Sequence, residues 1–509
     1  MTVSRLPLAA LRGGLLSAVA LAALSAPSFA ETKTSLVVSH PQEPPNWNYL
    51  VTGSSAILVP TFINVVQPLV ELLEDASVGP MLAESWQVSA DGKEITFKLR
   101  SATFHDGSSL DAGDVVYSLG KNKESSVAAI AVPLQVIDKM EAVDAQTVKL
   151  TLTTPSQRLL KALGEGSGII VPEGAYESYD PAVTMIGTGP YKFGAYVPDV
   201  HLQLDRFDGY WGDKPFFETV TQRFISDETA ATNALLAGEI DAVGAVLGEG
   251  LDRVESIAAQ EKFDVLLPSP VEISFVFLST KNEALRNEKV RQAIAHGIDR
   301  ESLLLAGQAG YGEPICQQVV PSAEPWNNGY CPYPYDPDKA RALLAEAGYA
   351  NGLTLDFPFL TVAEFPALKE VLVALMADIG ITINARPLDL ATWLEQVWRG
   401  ESYEMSNLTG STKVEAFQCG AGTEPLGKPT ATDFCIPEFD ALAKSSDGIL
   451  DSAEYVAAMS EMVKLFADAA WEIPLYAKST PTLHRADLTG LKTYRHRFEF
   501  DFRNVKWAE

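Results

Sequence analysis

Residues that most often carry chemistry are scarce here, with six histidines and four cysteines in 509 positions. The histidines stand at 40, 105, 201, 296, 484 and 496, and none pairs at metal-ligand spacing. No His-Glu-x-x-His occurs. No Gly-x-Ser-x-Gly elbow occurs either, because Ser167 in "GEGSGII" has Glu165 and Ile169 where the glycines belong. "GTGPYKFG" is rich in glycine, but Lys192 is not followed by Ser or Thr and Pro190 interrupts a helix start. A structural turn is expected there rather than a phosphate loop. His105 beside Asp106 in "FHDGSSLDAGDVV" suggests a metal only weakly. A turn at Asp106-Gly107, ahead of a helix capped by Asp111, is the simpler expectation. No catalytic constellation, metal or cofactor is expected.

Positive charge is also short. Lys and Arg number 39 against 66 Asp and Glu, a formal charge of -27. Such a surface repels phosphate backbones, so nucleic acid is not an expected partner. The acids are spread along the chain, which favours a solvated surface over cation storage.

Long apolar runs are missing except at the start. Arg5 and Arg12 precede an apolar run from Leu15 to Ala26, and Ser28-Phe29-Ala30 supplies the small residues that a signal peptidase reads. The run is shorter than the roughly 20 residues that span a bilayer. A signal peptide over 1–30, cleaved before Glu31, is expected; an uncleaved anchor is the alternative. Its loss removes two arginines and no acid, taking the charge from -27 to -29. No Cys lies near the cleavage site, which argues against a lipid anchor. Untethered export points to a periplasm.

All four cysteines fall after that site, at 316, 331, 419 and 435. In an oxidising compartment an even count reads as disulfides. Three pairings are possible. Cys316–Cys331 and Cys419–Cys435 are favoured, because each closes a short loop rich in Pro, Gly and Asn. Closing a loop of about 15 residues stabilises by roughly 3 kcal/mol. A four-cysteine zinc site would need tighter spacing.

What remains is the grammar of a mixed α/β protein with an ordinary 47% hydrophobic content and a length suited to two or three domains. Ile95, Phe97 and Leu99 share one strand face, as do Val148, Leu150 and Leu152. "DPDKARALLAEAGY" has Asp336 as N-cap, Pro337 at the first helical position and Gly348 as stop. Asp227 and Gly238 bracket a second helix, and Leu368, Leu372 and Met376 lie on the apolar stripe of a third, stopped by Gly380.

Four longer stretches stand in order: "VGPMLAESWQVSADGKEITFKLRSATFHDGSSLDAGDVVYSL", "IGTGPYKFGAYVPDVHLQLDRFDGYWGDKPFFETVTQRFISDETAATNALLAGEIDA", "NEALRNEKVRQAIAHGIDRESLL" and "YPYDPDKARALLAEAGY". With them the chain resembles extracellular solute-binding proteins of family 5, which include dipeptide-, oligopeptide-, nickel-, opine- and some sugar-binding proteins. The resemblance runs over essentially all of 35–505. It implies a bilobed, periplasmic-binding-protein-like fold of class II type with an extra inserted domain. Lobe I would be discontinuous, 31–58, 187–271 and 485–509. The inserted domain would be 59–186 and lobe II 272–484. A solute would lie between the lobes, and an ABC permease at the inner membrane would read the closed, monomeric form.

The resemblance also points to contacts. In dipeptide and oligopeptide binders an Asp of an Asp-Pro segment pairs with the peptide amino group. The corresponding stretch here, "SNLTGSTKVEAFQC", lacks it and has Ser411, Thr412 and Lys413 nearby. "FLTVAEFPAL" also lacks the Arg used for a dipeptide carboxylate. A strictly dipeptide-type site is therefore disfavoured, because a buried charged terminus without a partner is costly. Candidate contacts are His40 and Trp47 in "SHPQEPPNW", Phe275 and Phe277, Trp393 in "DLATWLEQVW", and Asn407 and Thr409. A core or surface role is the plain alternative for each. A peptide or peptide-like solute is expected, with an opine, oligosaccharide or metal chelate as alternatives. Free nickel lacks its histidine cluster. A secreted hydrolase and a chaperone or chemosensory adaptor are the competing classes.

Overall fold

Strand alternation places the first cores. Ile95, Phe97 and Leu99 of strand Glu94–Leu99 are buried, and Ile95 and Phe97 sit opposite Leu150 and Val148 of strand Thr147–Leu152. The computed structural model describes residues 33–508 except 53–54, 74–76, 247–249, 271, 280, 321–323, 362–364, 400–401, 411–435, 450 and 495–498. The fold is that of the unit Thr34–Glu509.

A seven-stranded sheet runs in the order Tyr191–Val197, His201–Arg206, Thr219–Phe224, Ser35–His40, Ala242–Val243, Thr482–Arg485, Phe263–Leu266. Ser35–His40 is parallel to both neighbours. An antiparallel four-stranded sheet, in the order Ala83–Val88, Glu94–Leu99, Thr147–Leu152, Ile137–Asp144, is built from the segment between the first two contributions to the large sheet. Leu36, Val38 and Leu204 of the large sheet share one core with Phe97, Leu119 and Val148 of this segment. Helix Ala112–Lys123 starts at Asp111, whose carboxylate accepts the Gly113 N–H at 2.7 Å while Asp114 accepts the Asp111 N–H at 2.7 Å. The glycines of "GTGPYKFG" allow a close backbone approach: a Cβ at Gly187 or Gly189 would come within 2.2 or 2.3 Å of the Val65 or Asn64 carbonyl oxygen. The chain bends at 188–190 and enters strand Tyr191–Val197 directly.

Residues 272–478 form separate cores. Their antiparallel sheet runs Gly312–Pro314, Glu472–Lys478, Glu272–Leu278, Met405–Gly410, beside the parallel pair Leu353–Leu360 and Ile381–Leu388. Helix Pro337–Glu346 begins as read: Asp336 caps the Lys339 N–H at 2.9 Å, and Gly348 follows at φ +93°. Its Ala340 and Leu344 are buried, while Leu343 and Ala347 are half-buried at the rim. Among the described strands the chain leaves the large sheet after Phe263–Leu266 for Glu272–Leu278 and returns after Glu472–Lys478 to Thr482–Arg485. The sequence-based boundary between 484 and 485 cuts strand Thr482–Arg485, which pairs with Ala242–Val243 and Phe263–Leu266 of the large sheet.

Cys316 and Cys331 are bonded, with Cα atoms 5.0 Å apart. Cys419 and Cys435 lie outside the described residues. Among the described residues no helix is long and apolar enough to cross a membrane.

Candidate functional site

Three of the sequence candidates meet on one face of the second sheet. Along Glu272–Leu278, Ile273, Phe275 and Phe277 alternate into a core with Trp393, Val397 and Tyr403. Asp389 caps the short helix Leu390–Trp393 through the Thr392 N–H at 3.0 Å, which aims the indole inward. Trp393 is 1% exposed, stands edge-on to Phe277 with ring centroids 6.3 Å apart, and stacks on Trp398 at 5.9 Å. Protein atoms cover these rings on all sides.

Asn407 and Thr409 belong to the other face. In the ladder, Asn407 sits opposite Val276 and Thr409 opposite Ser274. Asn407 is fully buried, and among the described residues neither its Oδ1 nor its Nδ2 meets a partner; the same holds for the Ser274 hydroxyl. Unpaired buried amide groups cost about 1–3 kcal/mol each, so this spot favours any group that can bond to it. Ser411, Thr412 and Lys413 lie outside the described residues.

His40 and Trp47 sit apart from these, at the large sheet. His40 ends strand Ser35–His40, with Nδ1 2.5 Å from the Gln42 carbonyl oxygen and 3.2 Å from the Gln42 backbone nitrogen. Burial lowers its pKa to about 4. The ring is therefore neutral, and its Nε2 meets no hydrogen-bond partner among the described residues. Trp47 is 1% exposed and edge-on to Phe193 and Tyr196, at 5.0 and 5.3 Å, and its indole N–H has no acceptor among the described residues. Phe224 links the pair, lying 6.3 Å from both His40 and Tyr196. Trp47, Tyr49, Tyr176 and Tyr179 line a cavity of about 10 Å³, the room of one water. His40 and Trp47 thus belong to the large sheet and its core, whereas Phe275, Phe277, Trp393, Asn407 and Thr409 belong to the second sheet and its packing.

His105 holds a turn. It lies 3.0 Å from the Gly189 carbonyl oxygen, and burial lowers its pKa to about 4. Asp106 accepts the Ser108 N–H at 2.9 Å and Gly107 takes φ +93°, as the turn reading requires. Sequence reasoning missed Ser274 and Ser406. A lone Ser in a strand gives no periodic signal, and its partners are set by pairings far away in the chain.

The sequence model of the bacterial extracellular solute-binding proteins, family 5 (middle), matches residues 77–414, well over half of the chain. The chain belongs to this family. Its members are non-enzymatic components of transport. A glutathione-binding protein of Pectobacterium atrosepticum is 30% identical over 287 residues, 55% of each chain, so the match spans little more than half the length of that relative. The dipeptide-binding protein of Escherichia coli is 26% identical over 425 residues, 76% of this chain and 78% of that one. The ABC transporter substrate-binding protein CtaP of Listeria monocytogenes superposes with a TM-score of 0.83 at 22% identity, covering 94% of this chain and all of that chain. The fold is thus the mixed α/β, bilobed fold of the family-5 binding proteins.

Proposed function

We propose that the chain is the periplasmic substrate-binding component of an ABC importer, exported by a signal peptide over 1–30 and acting as a monomer. It captures a peptide or peptide-like solute between two lobes and hands it unaltered to the membrane permease. Lobe I comprises 31–58, 187–271 and the C-terminal strands from about 482. The inserted domain is 59–186, and lobe II holds most of 272–484. The observation that carries this reading is the family match over 77–414, joined to relatives named for dipeptide and glutathione binding.

The chemistry of the candidate residues supports the solute class. His40 Nε2 donates or accepts according to its tautomer, the Trp47 N–H donates, and the Asn407 amide does both. Those are the complements of peptide N–H and C=O groups, and Thr409 adds a hydroxyl on the same strand as Asn407. Phe275, Phe277 and Trp393 hold that strand in register from behind.

A thermal-shift panel tests it. Peptides of two to five residues, opines, oligosaccharides and metal chelates are each added to the mature protein. A solute at about 100 times its Kd stabilises the native state by roughly 2.7 kcal/mol. A rise with peptides alone is expected. A rise confined to another class would replace the peptide reading, and peptide cleavage by the protein would favour the hydrolase.

A further inference from the structure

One meeting point of the two halves is polar. Leu159 belongs to the core shared by the large sheet and the inserted segment. Trp326, Phe439 and Ala443 belong to a core of the second half. The elements that carry them touch at their ends. Helix Gln157–Ala162 is capped by Ser156, and helix Pro437–Ser446 ends at Asp447. Ser156, 291 residues before Asp447, donates its hydroxyl to that carboxylate, 3.1 and 3.2 Å from the two oxygens. Arg158 donates Nε–H to the same carboxylate at 3.1 Å. Gln157 donates its backbone N–H to the Asp447 carbonyl at 3.2 Å and its side-chain amide to the Ile449 carbonyl at 3.0 Å. The Lys161 ammonium lies 4.9 Å from the centroid of the Trp326 ring.

The character of this contact matters as much as its existence. The side chains of Arg158 and Asp447 are 39% and 26% exposed. Water reaches both, so separating them strands no buried charge. A permanent interface between lobes would be apolar and dry. Charge-assisted hydrogen bonds at a wet rim form and break at small net cost.

We propose that this contact is a latch: Asp447 engages Ser156, Gln157 and Arg158 when the lobes close and releases them when they open. The latch rests on the two-lobe reading above. It favours the closed state whatever the solute, so it sets how much of the solute's binding energy closure consumes.

The test measures closure without solute. Spin-labelled unnatural amino acids replace Val143, exposed on strand Ile137–Asp144, and Leu305, exposed on helix Arg300–Gln308. Double electron–electron resonance on the mature chain then gives the short- and long-distance populations. Asp447→Ala lowers the short-to-long ratio about threefold or more, as expected for losing an ion pair with its hydrogen bonds. Arg158→Gln lowers it less. High salt lowers it in the wild type and has little effect on Asp447→Ala. If Asp447→Ala does not fold, Arg158→Gln, which changes a partly exposed side chain, carries the test. Two populations whose ratio ignores both variants overturn the latch alone. One fixed distance in every sample overturns lobe closure and the latch with it. A wrong solute class affects neither result.

Discussion

Trp393 gives its indole N–H to the Ser406 hydroxyl at 3.1 Å, and that hydroxyl gives its own hydrogen to the Pro358 carbonyl at 2.6 Å. The relay ties the turn at 390–393 to strands Met405–Gly410 and Leu353–Leu360. Trp393→Ala removes a buried ring as well as a donor and is expected to cost about 3–5 kcal/mol. Trp393→Phe keeps most of the packing and should cost about 1–2 kcal/mol. Urea unfolding measures both. Weakened solute binding by Trp393→Phe at unchanged stability would instead put the indole against the solute.

His40 and His105 make stability depend on pH. Burial holds both near pKa 4, below the ordinary 6.5 of the unfolded chain. Between those values the unfolded chain binds more protons, so stability rises with pH there. The contribution is complete above about pH 6.5 and is lost as pH falls towards 4, on the order of 3 kcal/mol for each ring. The urea midpoint should therefore fall between pH 7 and pH 5. His105→Gln should flatten that fall, and an unchanged slope in the variant would speak against a neutral buried ring.

The Cys316–Cys331 bond closes a loop with a sequence separation of 15. Replacing both with Ser is expected to cost about 3 kcal/mol, chiefly by freeing the unfolded chain. Non-reducing peptide mapping of the mature protein should recover this linkage, and also Cys419–Cys435.

Arg503 joins the C-terminal segment to Glu71, with Nη2 2.6 Å from Glu71 and 2.8 Å from Asp501. Their side chains are 20%, 16% and 10% exposed. Arg503→Met leaves two poorly solvated carboxylates facing each other and should cost about 3–5 kcal/mol. Lys139→Met, which breaks the exposed pair with Glu141 at 2.6 Å, should leave the unfolding midpoint where it was.

Local grammar was readable where a single segment carries it. The Asp111, Asp227 and Asp336 caps, the stops at Gly238, Gly348 and Gly380, and the buried Leu368, Leu372 and Met376 all follow from spacing within one turn or a few. The parallel pairing of Ser35–His40 with Thr219–Phe224 joins residues far apart in sequence and leaves no periodic trace. The same holds for Ser156 with Asp447. The candidate site was readable as segments, not as surroundings. Trp393 reads as a cleft aromatic by position, yet its environment comes from strands of both neighbouring sheets. Asn407 carries its information in what it fails to bond, which only the packed structure reveals.

Capture without chemistry is the central claim, and the contents of the purified protein test it most directly. Protein prepared after growth with a defined peptide mixture is washed and denatured, and the released small molecules are weighed by mass spectrometry. Closure over an unaltered solute predicts a peptide from the mixture, at its supplied mass and about one per chain. A fragment of a supplied peptide, or a cargo containing none of the peptides, would contradict it.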